Sequence, residues 1–145
     1  MKTETAIQSD GSKRISAIDE NGQEVLLAYF EPSGACSEIV AYGHDDQGRT
    51  TGWIVYDGAG NVVRRTELTY GHPAHETEMR ELDGMSNLIR RTEFDVNEAG
   101  RPIVARHFDA NNVQRSRAVY SYSHEGEMSM KYYDNAGKEI PRPAA

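Results

Sequence analysis

The sequence predicts an all-β fold: an antiparallel β-meander of about ten strands, built from five hairpin repeats of roughly 26 residues. The octapeptide NVVRRTEL at 61–68 returns 26 residues later, at 87–94, as NLIRRTEF, with every polar position kept. A fixed period of this length indicates one supersecondary unit repeated along the chain. No segment sustains an apolar period of 3.6 residues, so we expect no substantial helix.

Each predicted strand is a run of about eight residues rich in Val, Ile, Tyr, Phe and Thr, bounded by Gly, Asn, Asp or Pro. In chain order the strands are 13–19, 24–31, 36–43, 50–57, 62–70, 76–83, 88–95, 101–109, 113–122 and 127–134. The polar segment 1–12 and the segment 141–145, which contains two prolines, are predicted to be flexible tails. Five units leave no room for a second domain, so 1–145 is predicted to be a single β-repeat domain.

Tight turns connect the strands and recur at alternating spacings of 12 and 14 residues, as Gly22, Gly34, Gly48 and Gly60 do. Gly supplies the positive φ that such turns need. Connections this short can join antiparallel neighbours but not parallel ones. The meander then either stays an open, twisted single-sheet ribbon or closes into an up-and-down barrel. The low apolar content favours the ribbon.

The composition limits the core and excludes several classes of function. Only 37% of the residues are apolar, below the roughly 45–50% of a compact domain, which indicates a thin core. The net charge of −7 argues against nucleic-acid binding and suits a basic partner. The single cysteine, Cys36, fits a reducing compartment. No signal-like N-terminus and no apolar run of about 20 residues is present, so we expect a cytoplasmic protein that does not bind membranes.

Signatures of catalysis are missing from the sequence. It contains no Gly-x-Ser-x-Gly, no phosphate-binding loop, no His-Glu-x-x-His and no Cys-x-x-Cys. We therefore expect a protein that is not an enzyme and needs no cofactor. His72, His75 and Glu76 are weak candidates for metal ligands, because a zinc site needs three or four ligands in a set geometry. Ordinary strand-end histidines are the simpler interpretation.

An arginine recurs at the same position of three repeats, as Arg65, Arg91 and Arg117. The three side chains are expected at the same height on every second strand. With Glu67 and Glu93 beside them, the simplest prediction is a set of cross-strand ion pairs. The alternative is an anion-binding stripe, for which guanidinium groups are well suited.

Three segments resemble the YD motif of the RHS/YD repeats, in which an aromatic residue and an Asp precede a turn Gly and then an apolar strand. These segments are YDGAGNV at 56–62, FDANNV at 108–113 and YDNAGK at 133–138. The segment GRTTGWIVY at 48–56 is similar to the Gly-x-x-x-Gly-x-x-x-Tyr pattern of MORN-like repeats. The resemblance implies a β-strip architecture. Small free-standing members of these families are often immunity proteins or antitoxins that bind a cognate toxin.

We therefore expect an immunity or antitoxin protein that blocks a bacterial toxin by covering its basic active site. Acidic turns would speed association, and aromatic side chains would supply buried anchors. The candidate partner-binding residues are Asp45, Asp46, Trp53, Tyr70, Glu125 and Glu127. The alternatives are a barrel that binds a small molecule and a purely structural fragment related to RHS repeats. Self-association through exposed edge strands is a further expectation.

Overall fold

The computed structural model describes residues 1–72 and 75–142, and these residues form twelve β-strands. The strands are β1 (Lys2–Ile7), β2 (Lys13–Ile18), β3 (Glu24–Phe30), β4 (Cys36–His44), β5 (Thr50–Asp57), β6 (Val62–Thr69), β7 (Glu78–Asp83), β8 (Leu88–Val96), β9 (Pro102–Phe108), β10 (Gln114–Tyr122), β11 (Met128–Asp134) and β12 (Glu139–Ile140). They are hydrogen-bonded in chain order as one antiparallel sheet. The described part of the chain contains no helix that could cross a lipid bilayer.

The β-meander predicted from the sequence is confirmed, and its ten strands are present as β2 to β11. Their ends lie within two residues of the predicted ends, because Gly, Asn and Asp mark each turn. The sheet order runs from β1 to β12 with these two strands at its edges. The sheet is therefore open, and the closed-barrel alternative is wrong.

The N-terminal segment corrects the prediction of a flexible tail at 1–12. The six residues of β1 pair with β2 in continuous register. The sequence of this strand, KTETAI, shows no apolar alternation, and all six of its side chains are exposed. Backbone hydrogen bonds to β2 hold it in place. At the other end, β12 precedes the predicted tail 141–145, of which 143–145 lie outside the described residues.

The hairpin turns share a hydrogen-bonding pattern that explains the regular period. In the turn after β5, the N–H of Asp57 donates to the carbonyl of Asn61 (2.9 Å), and the N–H of Gly60 donates to the carbonyl of Asp57 (3.1 Å). The Asp57 carboxylate accepts two further bonds, from the N–H groups of Ala59 (3.0 Å) and Asn61 (2.9 Å). Counted from Asp57, the fourth residue of the turn is Gly60, and it must adopt a positive φ, which is 88°. The same pattern begins at Asp19, Asp45, Asp83, Asp109 and Asp134.

The chain divides into two compact units. Unit 1 comprises Met1–Glu67 and Leu82–Asn87, and unit 2 comprises Leu68–Glu81 and Leu88–Ala145. Unit 1 carries twelve Asp and Glu against six Lys and Arg, a net charge of −6. Unit 2 carries eleven against ten, a net charge of −1. The acidity of the chain is therefore concentrated in unit 1.

The hydrophobic cluster of unit 1 is a row of aliphatic side chains across three strands. Leu27 of β3, Val40 of β4 and Val55 of β5 lie directly opposite one another in the sheet. They are 4%, 7% and 3% exposed. Directly opposed residues of antiparallel strands share a face, so these three side chains contact each other along it. This agrees with the thin core that the composition predicts.

Unit 2 is built around smaller residues. Ala105 of β9 and Ala118 of β10 lie opposite one another and are 0% and 1% exposed. Thr92 of β8 is also buried. Thr92 also lines a groove that is described below.

The arginine column differs from repeat to repeat. Arg91 contacts the carboxylates of Glu78 (3.1 Å) and Glu93, which confirms the predicted ion pairing at this position. The guanidinium of Arg117 lies instead over the ring of Tyr133, 4.9 Å from its centroid. The repeats therefore keep the arginine but change its partner.

Candidate functional site

One face of unit 1 presents three aromatic side chains in an arrangement that strand register fixes. Tyr42 of β4 lies directly opposite Trp53 of β5. Tyr29 of β3 lies on the same face, two residues along the strand from Leu27. All three rings pack against the aliphatic core of unit 1. We call Tyr29, Tyr42 and Trp53 the aromatic face.

The rings of the aromatic face are fixed by packing but remain accessible. The centroids of Tyr42 and Trp53 are 6.3 Å apart, and the ring planes are tilted by 53°, within the range that aromatic pairs prefer. All three side chains are half-buried, so part of each ring stays at the surface. A ring that is already held in place loses little conformational entropy when a partner covers it.

Acidic side chains surround these rings. Glu38 of β4 lies opposite Tyr29, and a register shift in β3 brings Glu24 to the same face. The pKa of Tyr42 is raised, chiefly by burial and then by the negative charge of Glu24. Arg14, whose Nη2 lies 3.9 Å from Glu24, is the cation that partly offsets this field.

Aromatic rings and carboxylates placed together favour cationic side chains. The ring faces of Tyr and Trp attract Lys and Arg by cation–π interaction, and the carboxylates of Glu24 and Glu38 can accept their hydrogen bonds. The net charge of −6 on unit 1 adds a longer-range attraction. The chemistry available here is recognition of a basic surface.

Three of the residues predicted to bind a partner belong to the β4–β5 hairpin. Trp53 lies in the aromatic face. The Asp45 carboxylate accepts hydrogen bonds from the N–H groups of Gln47 (3.0 Å) and Arg49 (2.9 Å) and from Arg49 Nε (2.8 Å). The backbone bond from Arg49 is the main reason that the pKa of Asp45 is lowered. Asp45 therefore stabilises the turn, whereas Asp46 is exposed.

The other three predicted residues lie in unit 2. Tyr70 is half-buried and directly follows β6. Glu125 and Glu127 are exposed in the turn between β10 and β11, where the N–H of Glu127 donates to Ser123 Oγ (3.1 Å). The six predicted residues therefore divide evenly between the two units, and Trp53 is the one that joins the aromatic face.

The candidate metal ligands are occupied by other contacts. His75 Nδ1 lies 2.5 Å from the Glu76 carbonyl oxygen and 3.8 Å from its carboxylate. The His75 ring packs edge-on against Phe94, with centroids 5.3 Å apart. His72 forms an isolated bridge with His75. Within residues 1–72 and 75–142, no group of three or more His, Cys, Asp or Glu side chains is placed to hold a metal ion.

Sequence reasoning missed Tyr29, Tyr42, Glu24 and Glu38 as members of this site. Alternation along β3 places Tyr29 with Leu27, but it does not show which residue of β4 stands opposite. That pairing depends on register, which shifts between Ala17 and Ile18 and again between Tyr29 and Phe30. Such bulges carry no clear sequence signal here, because neither shift falls at a glycine.

No protein-family model and no curated protein matches this sequence. Among solved structures, a porin-like protein from Bacteroides uniformis is 12% identical and superposes with a TM-score of 0.51. The match covers 94% of this chain, which spans 55% of the length of that protein. At this identity the likeness is one of fold, and it agrees with the antiparallel meander.

A second similar structure is the Tc holotoxin pore of Photorhabdus luminescens, with a TM-score of 0.31 and 12% identity. The match covers 88% of this chain and 9% of the toxin chain. A superposition at this level does not extend the fold comparison made with the porin-like protein.

Proposed function

We propose that this protein is a non-catalytic binding module whose aromatic face holds a basic protein partner. The observation that carries the proposal is the grouping of Tyr29, Tyr42 and Trp53 above the core of unit 1, with Glu24 and Glu38 beside them. Tyr and Trp are enriched among the residues that dominate binding energy in protein interfaces. The carboxylates would set the charge of the partner and speed its approach.

The concrete role that we propose is that of an immunity protein or antitoxin. A rigid acidic surface that covers a basic active site or substrate groove blocks the toxin by occlusion. The resemblance of 56–62 and 133–138 to the YD motif, and of 48–56 to MORN-like repeats, supports this role, because small members of these families often act in this way. A cytoplasmic site of action belongs to the same proposal.

The test begins with affinity capture from the source organism, using the tagged 145-residue chain, and identification of any stoichiometric basic protein. Association with that purified protein is then measured by stopped-flow or surface plasmon resonance. The double variant Glu24→Lys/Glu38→Lys should lower the association rate by about tenfold at low salt and flatten its salt dependence. Trp53→Ala should mainly raise the dissociation rate, because a buried anchor is lost.

The matched control is Glu98→Lys/Glu139→Lys, which changes the net charge by the same amount at two exposed residues of unit 2 that are not candidate binding residues. An equal slowing by both double variants would mean that overall charge, rather than the aromatic face, directs binding. If neither variant changes the rate, the proposed face is wrong. Toxicity of the partner when expressed alone, relieved by this protein, would establish the immunity role, and a partner that is not toxic would reject it.

A further inference from the structure

A groove of about 550 Å³ lies within unit 2. Its lining includes Arg90, His107, Arg115, Tyr120, Tyr132 and Arg142, and we call it the arginine groove. Strand register brings these residues together. Thr92, His107 and Ser116 are directly opposed on β8, β9 and β10, and Ala118 of β10 lies opposite Tyr132 of β11. Ser116 lines the groove, and its small side chain leaves space that a larger residue would fill.

The floor of the groove is polar but uncharged. Thr92 is buried, and its hydroxyl lies 3.4 Å from His107 Nδ1. Burial lowers the pKa of His107, so its imidazole is neutral at neutral pH. A neutral imidazole offers one hydrogen-bond donor and one acceptor, and its ring contributes apolar surface.

Two tyrosines line the groove beside this floor. The pKa of Tyr120 is raised, first by burial and then by the neighbouring Tyr132, whereas the positive charge of Arg142 acts in the opposite direction. The phenol of Tyr120 therefore stays protonated at neutral pH and can donate a hydrogen bond. Aromatic side chains favour stacked or edge-on contact with another planar group.

Arginines outnumber acidic residues in the lining of the groove, and carboxylates outside the lining pair with Arg90 and Arg91. Arg115 Nε donates to the Asp109 carboxylate (2.6 Å), and Arg90 pairs with Glu81. Both arginine side chains are 66% exposed. A guanidinium has five N–H donors, so one carboxylate partner leaves donors for a ligand. Asp109 is the one acidic residue among the described residues that line the groove, against four arginines.

We propose that the arginine groove binds a small planar organic acid, with its apolar ring against Tyr120 and Tyr132 and its carboxylate held by Arg115 and Arg142. The volume falls within the roughly 300–1,000 Å³ of small-molecule sites. Planar guanidinium groups match the geometry of a carboxylate in two-pronged hydrogen bonds. The site is independent of the proposed protein-binding role, because it uses unit 2 and selects the opposite charge.

The probe is 2-naphthoate, and its uncharged isostere 2-naphthamide is the matched ligand. Binding to the full-length protein is measured by isothermal titration calorimetry and by chemical shift changes in NMR. The amide should bind at least about tenfold more weakly than the acid, because it lacks the charge-assisted bonds. Raising the salt concentration should weaken binding of the acid and leave that of the amide unchanged.

Two variants locate the site. Arg115→Gln/Arg142→Gln should lower naphthoate affinity by about tenfold. Arg80→Gln/Arg117→Gln removes the same charge from residues of unit 2 that do not line the groove and should change affinity less than twofold. Equal binding of the acid and the amide, or equal loss in the two double variants, would overturn the proposal. Shifted resonances confined to residues outside the groove would also overturn it, and circular dichroism would check that each variant is folded.

Discussion

Ser86 occupies a backbone position that glycine fills in the neighbouring hairpins of unit 1. Its φ is 66°, compared with 93° at Gly34 and 88° at Gly60. An L-residue in this left-handed region costs about 1–2 kcal/mol, which is partly offset because glycine makes the unfolded chain more flexible. We predict that Ser86→Gly raises the free energy of unfolding by about 0.5–1 kcal/mol in urea titrations.

The reverse change in the same unit is the control for this prediction. No atom lies within 4 Å of a Cβ placed at Gly60, so Gly60→Ser tests backbone conformation without a steric clash. It should lower the free energy of unfolding by a similar amount. A destabilising Ser86→Gly would mean that the serine side chain contributes more than its backbone strain costs.

Arg65 and Arg91 are equivalent residues of two repeats with different surroundings. Arg91 contacts Glu78 and Glu93. One repeat earlier, Glu67 stands at the position of Glu93, but Gly52 stands at the position of Glu78. Within the described residues, the buried Nε of Arg65 has no hydrogen-bond partner. An unsatisfied buried donor is costly, so Arg65→Met should leave the free energy of unfolding unchanged or raise it.

The matched variant Arg91→Met should lower the free energy of unfolding by about 1–2 kcal/mol, because it leaves Glu78 and Glu93 without their shared cation. Both values follow from urea unfolding at neutral pH. Equal losses for the two variants would show that the arginines stabilise the sheet through their aliphatic stems rather than through their ion pairs.

At the scale of the hairpin, the turn aspartates make stability depend on pH. Backbone N–H bonds from Asn61 and Asn87 lower the folded-state pKa of Asp57 and Asp83 below the ordinary value. A carboxyl whose pKa falls on folding contributes its full stabilisation above the unfolded-state pKa and loses it as pH falls through the folded-state pKa. The urea midpoint should therefore decrease as pH is lowered from about 5 to about 2.5.

The variant Asp57→Asn/Asp83→Asn tests this origin. The amide oxygen of Asn97 already accepts the N–H of Arg101 (3.0 Å) in an equivalent turn, so Asn can hold the geometry without charge. The double variant should unfold with a shallower pH dependence below about pH 4 and with nearly the same stability at pH 7. An unchanged acid limb would assign the effect to other carboxylates.

How well each element could be predicted from the sequence depends on which interaction defines it. Turn chemistry is local, so Asp57 and Gly60 in the sequence identify a hairpin and fix strand ends to within two residues. The edge strand β1 has no buried side chain, so apolar alternation in the sequence could not predict it. The opposition of Tyr42 and Trp53 depends on register between strands, which local sequence does not encode.

Across the whole chain, composition predicted the overall charge but not its distribution. The net charge of −7 belongs almost entirely to unit 1, and the arginines of unit 2 balance its acids. A sum over the sequence conceals this difference. The negative charge of unit 1 agrees in sign with that sum. The arginine groove could not be predicted from composition, because it depends on which strands lie side by side.

The polar edge strand β1 also bears on whether copies of this protein associate with each other. Deletion of 1–7 would expose the edge of β2, where Ile15 and Ile18 accompany unpaired backbone groups. We predict that, at equal concentration, a larger fraction of the truncated chain than of the chain with β1 is present as dimers or larger species. Sedimentation velocity of both chains across a concentration series measures this, and identical behaviour would show that β1 does not protect the edge.

Strand contacts in the described part of the chain run between sequence neighbours, as in the pairs β3–β4, β4–β5 and β10–β11. Insertion or removal of one hairpin would therefore leave every other strand with a neighbour of the kind it already has. Copy number can change by duplication or loss without a new core having to evolve. The matching octapeptides at 61–68 and 87–94 are what a recent duplication would leave, so lineages of this protein should differ in length by steps of 26 residues.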